Sequence, residues 1–222
     1  MKKVLYLFLG LSLLGAGCAG EMETSSTSTP TNVASTSTET SATTSTPSSQ
    51  TTSTSSMDQT KPAFPGVLPA AEISKNIRVK TTMGDIVIQM MPDQGPNAAS
   101  NFVYLVKRGF YNGTIFHRVI PGFMIQGGDP EGSGRGGPGY EFTNDPVKLP
   151  YTDGIVAMAN KGRDTNGSQF FIMVNNTSLP PDYSIFGKVV SGLDVAHKIA
   201  DVDRDQFDRP LQEVKMLSVS VE

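Results

Sequence analysis

Polar and apolar residues alternate in short runs over much of the chain. Ile77-Arg78-Val79-Lys80 and Ile86-Val87-Ile88-Gln89-Met90 read as two strands, with Gly84-Asp85 as the turn between them. From Pro96 to Gly109 the apolar spacing becomes helical. Ala98, Phe102, Leu105 and Val106 fall on one stripe, and Gly109 is a stop signal. Further strands are predicted around Ile115-Phe116 and at Met124-Ile125-Gln126, Ile155–Ala159, Gln169–Val174 and Ser184–Val189. Ser191 with Asp194 suggests a capping box for a helix running through Ala200, and Leu217, Val219 and Val221 alternate in a closing strand. Many short strands with two helices predict a mainly β barrel or sandwich, not a parallel α/β sheet.

The pattern before residue 76 differs. Lys2-Lys3 precede an apolar run from Val4 to Leu14, followed by Gly15-Ala16-Gly17, which predicts a signal peptide over residues 1–17. The run is short for a membrane span of about 20 residues. Cys18 follows directly, and Leu14-Gly15-Ala16-Gly17-Cys18 resembles a bacterial lipobox, although Gly15 stands where Leu is usual. The expectation is lipidation at Cys18 and an anchor of acyl chains at the cell membrane, on its extracytoplasmic side. From Thr24 to Ser56, 25 of 33 residues are Ser or Thr and Glu39 is the only charge. Such a stretch cannot bury enough apolar surface to offset its chain entropy. Residues 18–75 therefore read as a disordered tether, with 61–75 an extended, proline-marked approach to a folded domain over 76–222.

Charge and composition remove several function classes. The net charge is −3, and from Ile77 onward 14 Lys and Arg face 16 Asp and Glu, so no nucleic-acid partner is expected. One Cys and two His, His117 and His197, leave no disulfide framework and no expected metal site, and no cofactor is called for. Gly132-Ser133-Gly134-Arg135-Gly136-Gly137 fits the dinucleotide fingerprint by letter. Pro138-Gly139 then forbid the helix start which that reading needs. The run reads instead as a loop needing positive φ and close backbone approach.

Three segments carry a family resemblance. They are Phe116-His117-Arg118-Val119-Ile120-Pro121-Gly122-Phe123-Met124-Ile125-Gln126-Gly127-Gly128-Asp129, then Gly154-Ile155-Val156-Ala157-Met158-Ala159-Asn160, then Thr165-Asn166-Gly167-Ser168-Gln169-Phe170-Phe171-Ile172. Together with Phe186-Gly187-Lys188-Val189 they resemble cyclophilin-type peptidyl-prolyl cis-trans isomerases across 77–222. The resemblance implies a closed eight-stranded antiparallel barrel capped by two α-helices. It implies that Arg118 is the catalytic arginine. Phe123, Met124, Phe171 and Leu179 match the apolar floor and walls of the proline pocket, with Tyr183 at its edge. Gln126 and Gln169 match glutamines that orient Arg118 and the substrate. The backbone of Asn160 is expected to pair with bound peptide, and Gly132 and Ala159 to line a neighbouring subsite. Leu179 stands where many members have Trp, Tyr183 where they have His, Lys161 where a small residue is usual and Pro180 where many have Leu. The resemblance implies that catalysis survives the first two of these departures and that they weaken cyclosporin binding.

The implied chemistry suits the residues present. Rotation about a prolyl peptide bond breaks no bond and meets a barrier of roughly 18–20 kcal/mol. It calls for no nucleophile, base or metal, so His117 reads as structural. It calls for a charged donor at the twisting imide and a pocket that holds the ring. The expected partners are proline-containing unfolded or nascent exported polypeptides, met by a monomer. Two other readings compete. One is a non-catalytic proline-peptide-binding chaperone module on the same fold, against which Arg118 speaks. The other is a solute-binding lipoprotein, which needs two larger lobes than residues 76–222 can supply.

Overall fold

The computed structural model describes residues 63–222; the expected signal peptide, Cys18 and the Ser/Thr-rich run lie outside the described residues. Eight strands are present: β1 (Asn76–Thr81), β2 (Gly84–Met90), β3 (Phe116–Ile120), β4 (Met124–Gly127), β5 (Ile155–Met158), β6 (Phe170–Met173), β7 (Ile185–Ser191) and β8 (Met216–Val221). They form one antiparallel sheet in the order β3-β4-β6-β5-β7-β2-β1-β8.

The expected closed barrel is corrected to a curled sheet whose two edge strands meet at one end only. β3 and β8 share no ladder. The Ile115–Lys215 bridge joins them, with backbone bonds from Met216 N–H to the Thr114 carbonyl (2.8 Å) and from Phe116 N–H to the Val214 carbonyl (3.0 Å). Further along β3, Val119 N–H donates to the carbonyl of Asp208, in the loop before β8, at 2.8 Å. A loop thus occupies the edge that a full ladder would have paired.

The inward face is one continuous core. Ile77, Val79, Ile86, Ile88, Phe116, Val119, Ile125, Val156, Phe170, Ile172 and Phe186 alternate out of the strands into it. Around Phe102 cluster Tyr111, Phe170 and Phe186, at ring-centroid distances of 4.9–5.1 Å. The predicted stripe Ala98, Phe102, Leu105 and Val106 is buried on α2 (Pro96–Lys107). α2 begins without a cap from its own neighbours. The Asp145 carboxylate, from a distant loop, accepts Asn97 N–H at 3.1 Å and Ala98 N–H at 2.9 Å. Negative charge there satisfies orphan donors and complements the helix dipole.

Three other expectations change. α3 (Leu193–Ala200) is present, but its N-cap is Gly192 in the left-handed conformation (φ 78°) and no side chain caps it. The Ser191–Asp194 capping box does not form, and Asp194 pairs with Lys198 instead (2.9 Å). In β8 the register against β1 slips between Lys80 and Thr81, so that Leu217 is the extra residue of a bulge and points outward. Finally, the stretch 63–75 is not an extended approach. α1 (Ala70–Ile73) makes a third helix, with Ile73 buried. Phe64 stacks on Phe142 at 4.8 Å, and Leu68 N–H donates to Ser100 Oγ at 2.9 Å. Apolar side chains at 64, 68 and 73 hold this segment to the core.

Candidate active site

The outward face of the same sheet carries a second apolar cluster. Met124, Ile155, Ala157, Phe171, Met173 and Ile185 are buried there, packed against Phe123, Leu179 and Tyr183. Strand pairing explains why the key side chains share it. Arg118 lies opposite Gln126, Gln126 opposite Phe171, and Phe171 opposite Ala157, so one transverse row runs arginine, glutamine, phenylalanine, alanine. Plain alternation from Phe116 would turn Arg118 inward. The ladder slips by one residue between Phe116 and Arg118, and that extra residue, His117, restores Arg118 to the outer face.

Arg118, Phe123, Met124, Gln126, Ala159, Asn160, Phe171, Leu179 and Tyr183 line one cavity of about 250 Å³. Of the expected site residues, nine meet here. Phe171 and Tyr183 stand edge to face at 5.6 Å and 84°. Tyr151 fixes Tyr183 by donating its hydroxyl to the Tyr183 carbonyl (2.9 Å) while accepting Tyr183 N–H (3.1 Å). Asn160 Nδ2 donates to the Asp182 carbonyl (2.8 Å), tying the strand end to the loop that carries Tyr183.

A second depression of about 400 Å³ adjoins the first and shares Gln126, Ala159 and Asn160 with it. Gln169 lies in this second space. Gln126 Nε2 donates to Gln169 Oε1 (2.9 Å), and Gln169 Nε2 donates to the Gly136 carbonyl (2.9 Å). The glutamines therefore brace each other and the loop. Neither hydrogen-bonds Arg118 among the described residues, contrary to expectation. The side-chain partner of Arg118 there is Asp208, with Nε to Oδ2 at 3.6 Å.

Gly132 is also corrected. It lines neither depression. It is buried behind the loop at φ 62°, with a Cβ position 2.9 Å from Ile115 Cδ1, and its carbonyl accepts Arg209 Nη1. The loop wall of the second depression comes from Gly134, Gly136 and Gly137 instead. Asp129 organises that wall. Its fully buried carboxylate accepts N–H groups from Glu131 (2.8 Å), Gly134 (2.6 Å) and Gly136 (3.1 Å), and the Ser133 hydroxyl (3.1 Å). Burial pushes its pKa up, but these donors together outweigh burial and hold it below the ordinary carboxylate value. A Cβ on Gly136 would lie 2.0 Å from Asp129 Oδ1, which is why only glycine fits. The glycine motif thus surrounds an internal carboxylate, and no helix follows it. His117 packs behind this loop; neither ring nitrogen has a hydrogen-bond partner among the described residues.

Sequence reasoning missed two participants. Asp129 stands inside a quoted motif, yet its role depends on a loop closing back on it. Asp208 lies far along the chain from Arg118 and carries no local signal.

Comparison with known proteins identifies the family. The family model described as "Cyclophilin type peptidyl-prolyl cis-trans isomerase/CLD" matches residues 76–221. A Gibberella zeae protein named peptidyl-prolyl cis-trans isomerase-like 1 is 42% identical over 155 residues, covering 67% of this chain and 96% of its own length. The human protein of that name is 44% identical over 148 residues, 64% of this chain and 89% of its own. The crystal structure of a Cryptosporidium parvum cyclophilin-type peptidyl-prolyl cis-trans isomerase superposes with a TM-score of 0.64 at 36% identity, covering 67% of this chain and 97% of that one. That protein has also been solved in the presence of the dipeptide Ala-Pro.

Proposed function

The chain belongs to the cyclophilin-type peptidyl-prolyl cis-trans isomerase family, and from that premise we propose how it turns over X-Pro bonds and where it does so. The protein is a peptidyl-prolyl cis-trans isomerase. The observation that carries the mechanism is a single cavity in which an arginine faces an apolar floor. Phe123, Met124 and Phe171 hold the proline ring while the preceding carbonyl rotates. The guanidinium of Arg118, always charged and rich in donors, bonds the imide more strongly in its twisted state than in its planar one. Resonance falls as the nitrogen pyramidalises, and the barrier falls with it. Gln126 and Gln169 keep the floor and the adjoining loop in register.

The substrates are proline-containing unfolded or nascent polypeptides on export. The protein works as a monomer, held at the membrane through lipid on Cys18 with residues 18–62 as spacer. What supports the anchor is the sequence: an apolar run, three small residues and then the single cysteine of the chain.

The test is prolyl isomerisation by the full chain, with Arg118→Ala and Arg118→Lys alongside. Arg118→Ala should lose about 10²-fold in kcat/KM, the size of removing one preorganised charged donor. Peptide affinity should fall far less, because the ring pocket is intact. Lys should rescue poorly, since one ammonium cannot reproduce the fork. Wild-type turnover in Arg118→Ala refutes the mechanism. Peptide binding by wild type without turnover identifies a binding module.

A further inference from the structure

The edge of β3 carries a carboxylate that the reading above does not use. Residues 204–210 fold into a closed loop: Arg204 bridges Pro210, Asp205 N–H donates to the Arg209 carbonyl (2.8 Å), and Asp208 N–H donates to the Asp205 carbonyl (3.1 Å). The Asp205 carboxylate ties the turn from inside, accepting Phe207 N–H (2.8 Å) and Arg209 N–H (3.0 Å). The loop is fastened to β3 next door to the arginine, by Val119 N–H on the Asp208 carbonyl. Asp208 itself is held at φ 64°, a left-handed conformation that non-glycine residues rarely adopt. Its two carboxylate oxygens divide between two arginines, Oδ2 toward Arg118 Nε at 3.6 Å and Oδ1 toward Arg204 Nε at 3.5 Å.

We propose that Asp208 is a positioning residue for Arg118: its carboxylate, fixed by the loop and braced by Arg204, holds the guanidinium over the proline cavity from the Nε side. The proposal rests on the catalytic reading of Arg118. The physical argument is about orientation, not stability. The Arg118 side chain is 44% exposed and that of Asp208 33%, and an ion pair this open adds little to folding. A long exposed arginine, however, wanders among many rotamers unless something selects one. Gln126 and Gln169 do not select it, because they bond each other. Pairing at Nε leaves the two terminal amino groups to meet a substrate carbonyl. A carboxylate of this kind is worth most in the twisted state, where donor placement decides the rate.

Asp208→Asn tests this without disturbing the backbone, because Asn also accepts the left-handed conformation. Isomerisation rate and peptide affinity are measured for wild type, Asp208→Asn, Arg118→Ala and the double variant. Asp208→Asn should slow turnover about fivefold, with peptide affinity changed by less than about twofold. In the Arg118→Ala background it should change nothing further, since a residue acting through Arg118 has nothing left to act on. Wild-type turnover in Asp208→Asn overturns the proposal while leaving Arg118 catalytic. So does an equal loss from Asp208→Asn in both backgrounds, which marks a merely structural residue. Undiminished turnover in Arg118→Ala removes the catalytic reading and this proposal together.

Discussion

The two adjoining depressions on the outer face are built in opposite ways. The smaller is made of side chains: Arg118, Met124, Gln126 and Phe171 stand on strands, and pairing register decides their relative places. The larger is walled by main chain, through Gly134, Gly136 and Gly137, and a buried carboxylate decides its shape. A side-chain site tolerates change at one wall, because neighbours on a rigid sheet stay put. A backbone wall has no such reserve, since any added atom must displace the chain itself. The Gln126–Gln169–Gly136 chain of hydrogen bonds is where the two constructions meet.

That contrast breaks most visibly at Gly136. Gly136→Ala places a methyl 2.0 Å from Asp129 Oδ1, so the loop must open and the carboxylate lose donors while buried. We expect a loss of roughly 2–4 kcal/mol, from overpacking together with an unsatisfied buried polar group. Thermal unfolding of Gly136→Ala beside Gly137→Ala checks it, because nothing lies within 4 Å of a Cβ on Gly137. Equal melting temperatures for the two variants would contradict the account.

His117 sharpens the comparison from behind the loop. Burial holds its pKa below the ordinary value, with Arg209 and Arg118 acting the same way and Asp129 opposing. Folding thus favours the neutral ring. The stability this contributes is complete above the ordinary histidine pKa of about 6.5 and is lost as pH falls below it toward the lowered folded value. Asp129, with its pKa lowered, contributes stability above the ordinary carboxylate value of about 3.9, lost only as pH falls through its lower folded value. Melting curves should show two acid windows, and His117→Leu should flatten the upper one alone. Since neither ring nitrogen is bonded among the described residues, that substitution should cost under about 1 kcal/mol at pH 7.

The side-chain site is tested by a gain of affinity, not by a loss of stability. Leu179 offers neither an indole N–H nor a broad ring at the cavity edge. Leu179→Trp should tighten cyclosporin inhibition by up to about tenfold, the worth of one aromatic contact with a donor. An inhibition titration of both proteins settles it, and identical curves would refute a role for Leu179 in cyclosporin binding.

How far each part could be read beforehand follows the same division. Strands and the α2 stripe were legible, because Ile77, Val79, Ile86, Ile88, Ala98 and Phe102 alternate or recur with the period of the element they form. Seven of the nine cavity residues stand inside the contiguous motifs that carry the resemblance, whereas Leu179 and Tyr183 lie between those motifs and were placed by the resemblance as a whole. Gly132 was misplaced because spacing within a glycine-rich loop does not say which glycine turns toward solvent; the Asp129 carboxylate decides, through bonds that no local pattern announces. The phase of β8 was misread at Leu217 for a related reason. A bulge is set by the partner strand β1, so alternation within 216–221 alone assigns the wrong face. The Ser191–Asp194 box failed because Gly192 between them takes the left-handed turn. Asp208 needed the loop to fold onto β3 before it could meet Arg118.

The family match starts at residue 76, but the packed protein starts earlier, and the stacking of Phe64 on Phe142 has a practical consequence for handling it. Trimming the chain at the family boundary would leave the Phe142 ring uncovered, vacate the niche filled by Ile73 and strip Ser100 of its bond to Leu68. A shortened protein of that kind would present a fresh apolar patch beside α2 and would be prone to self-association. Cutting before Phe64 avoids this, so the useful boundary for crystallisation, titration or display is set by an aromatic pair and not by the reach of sequence similarity.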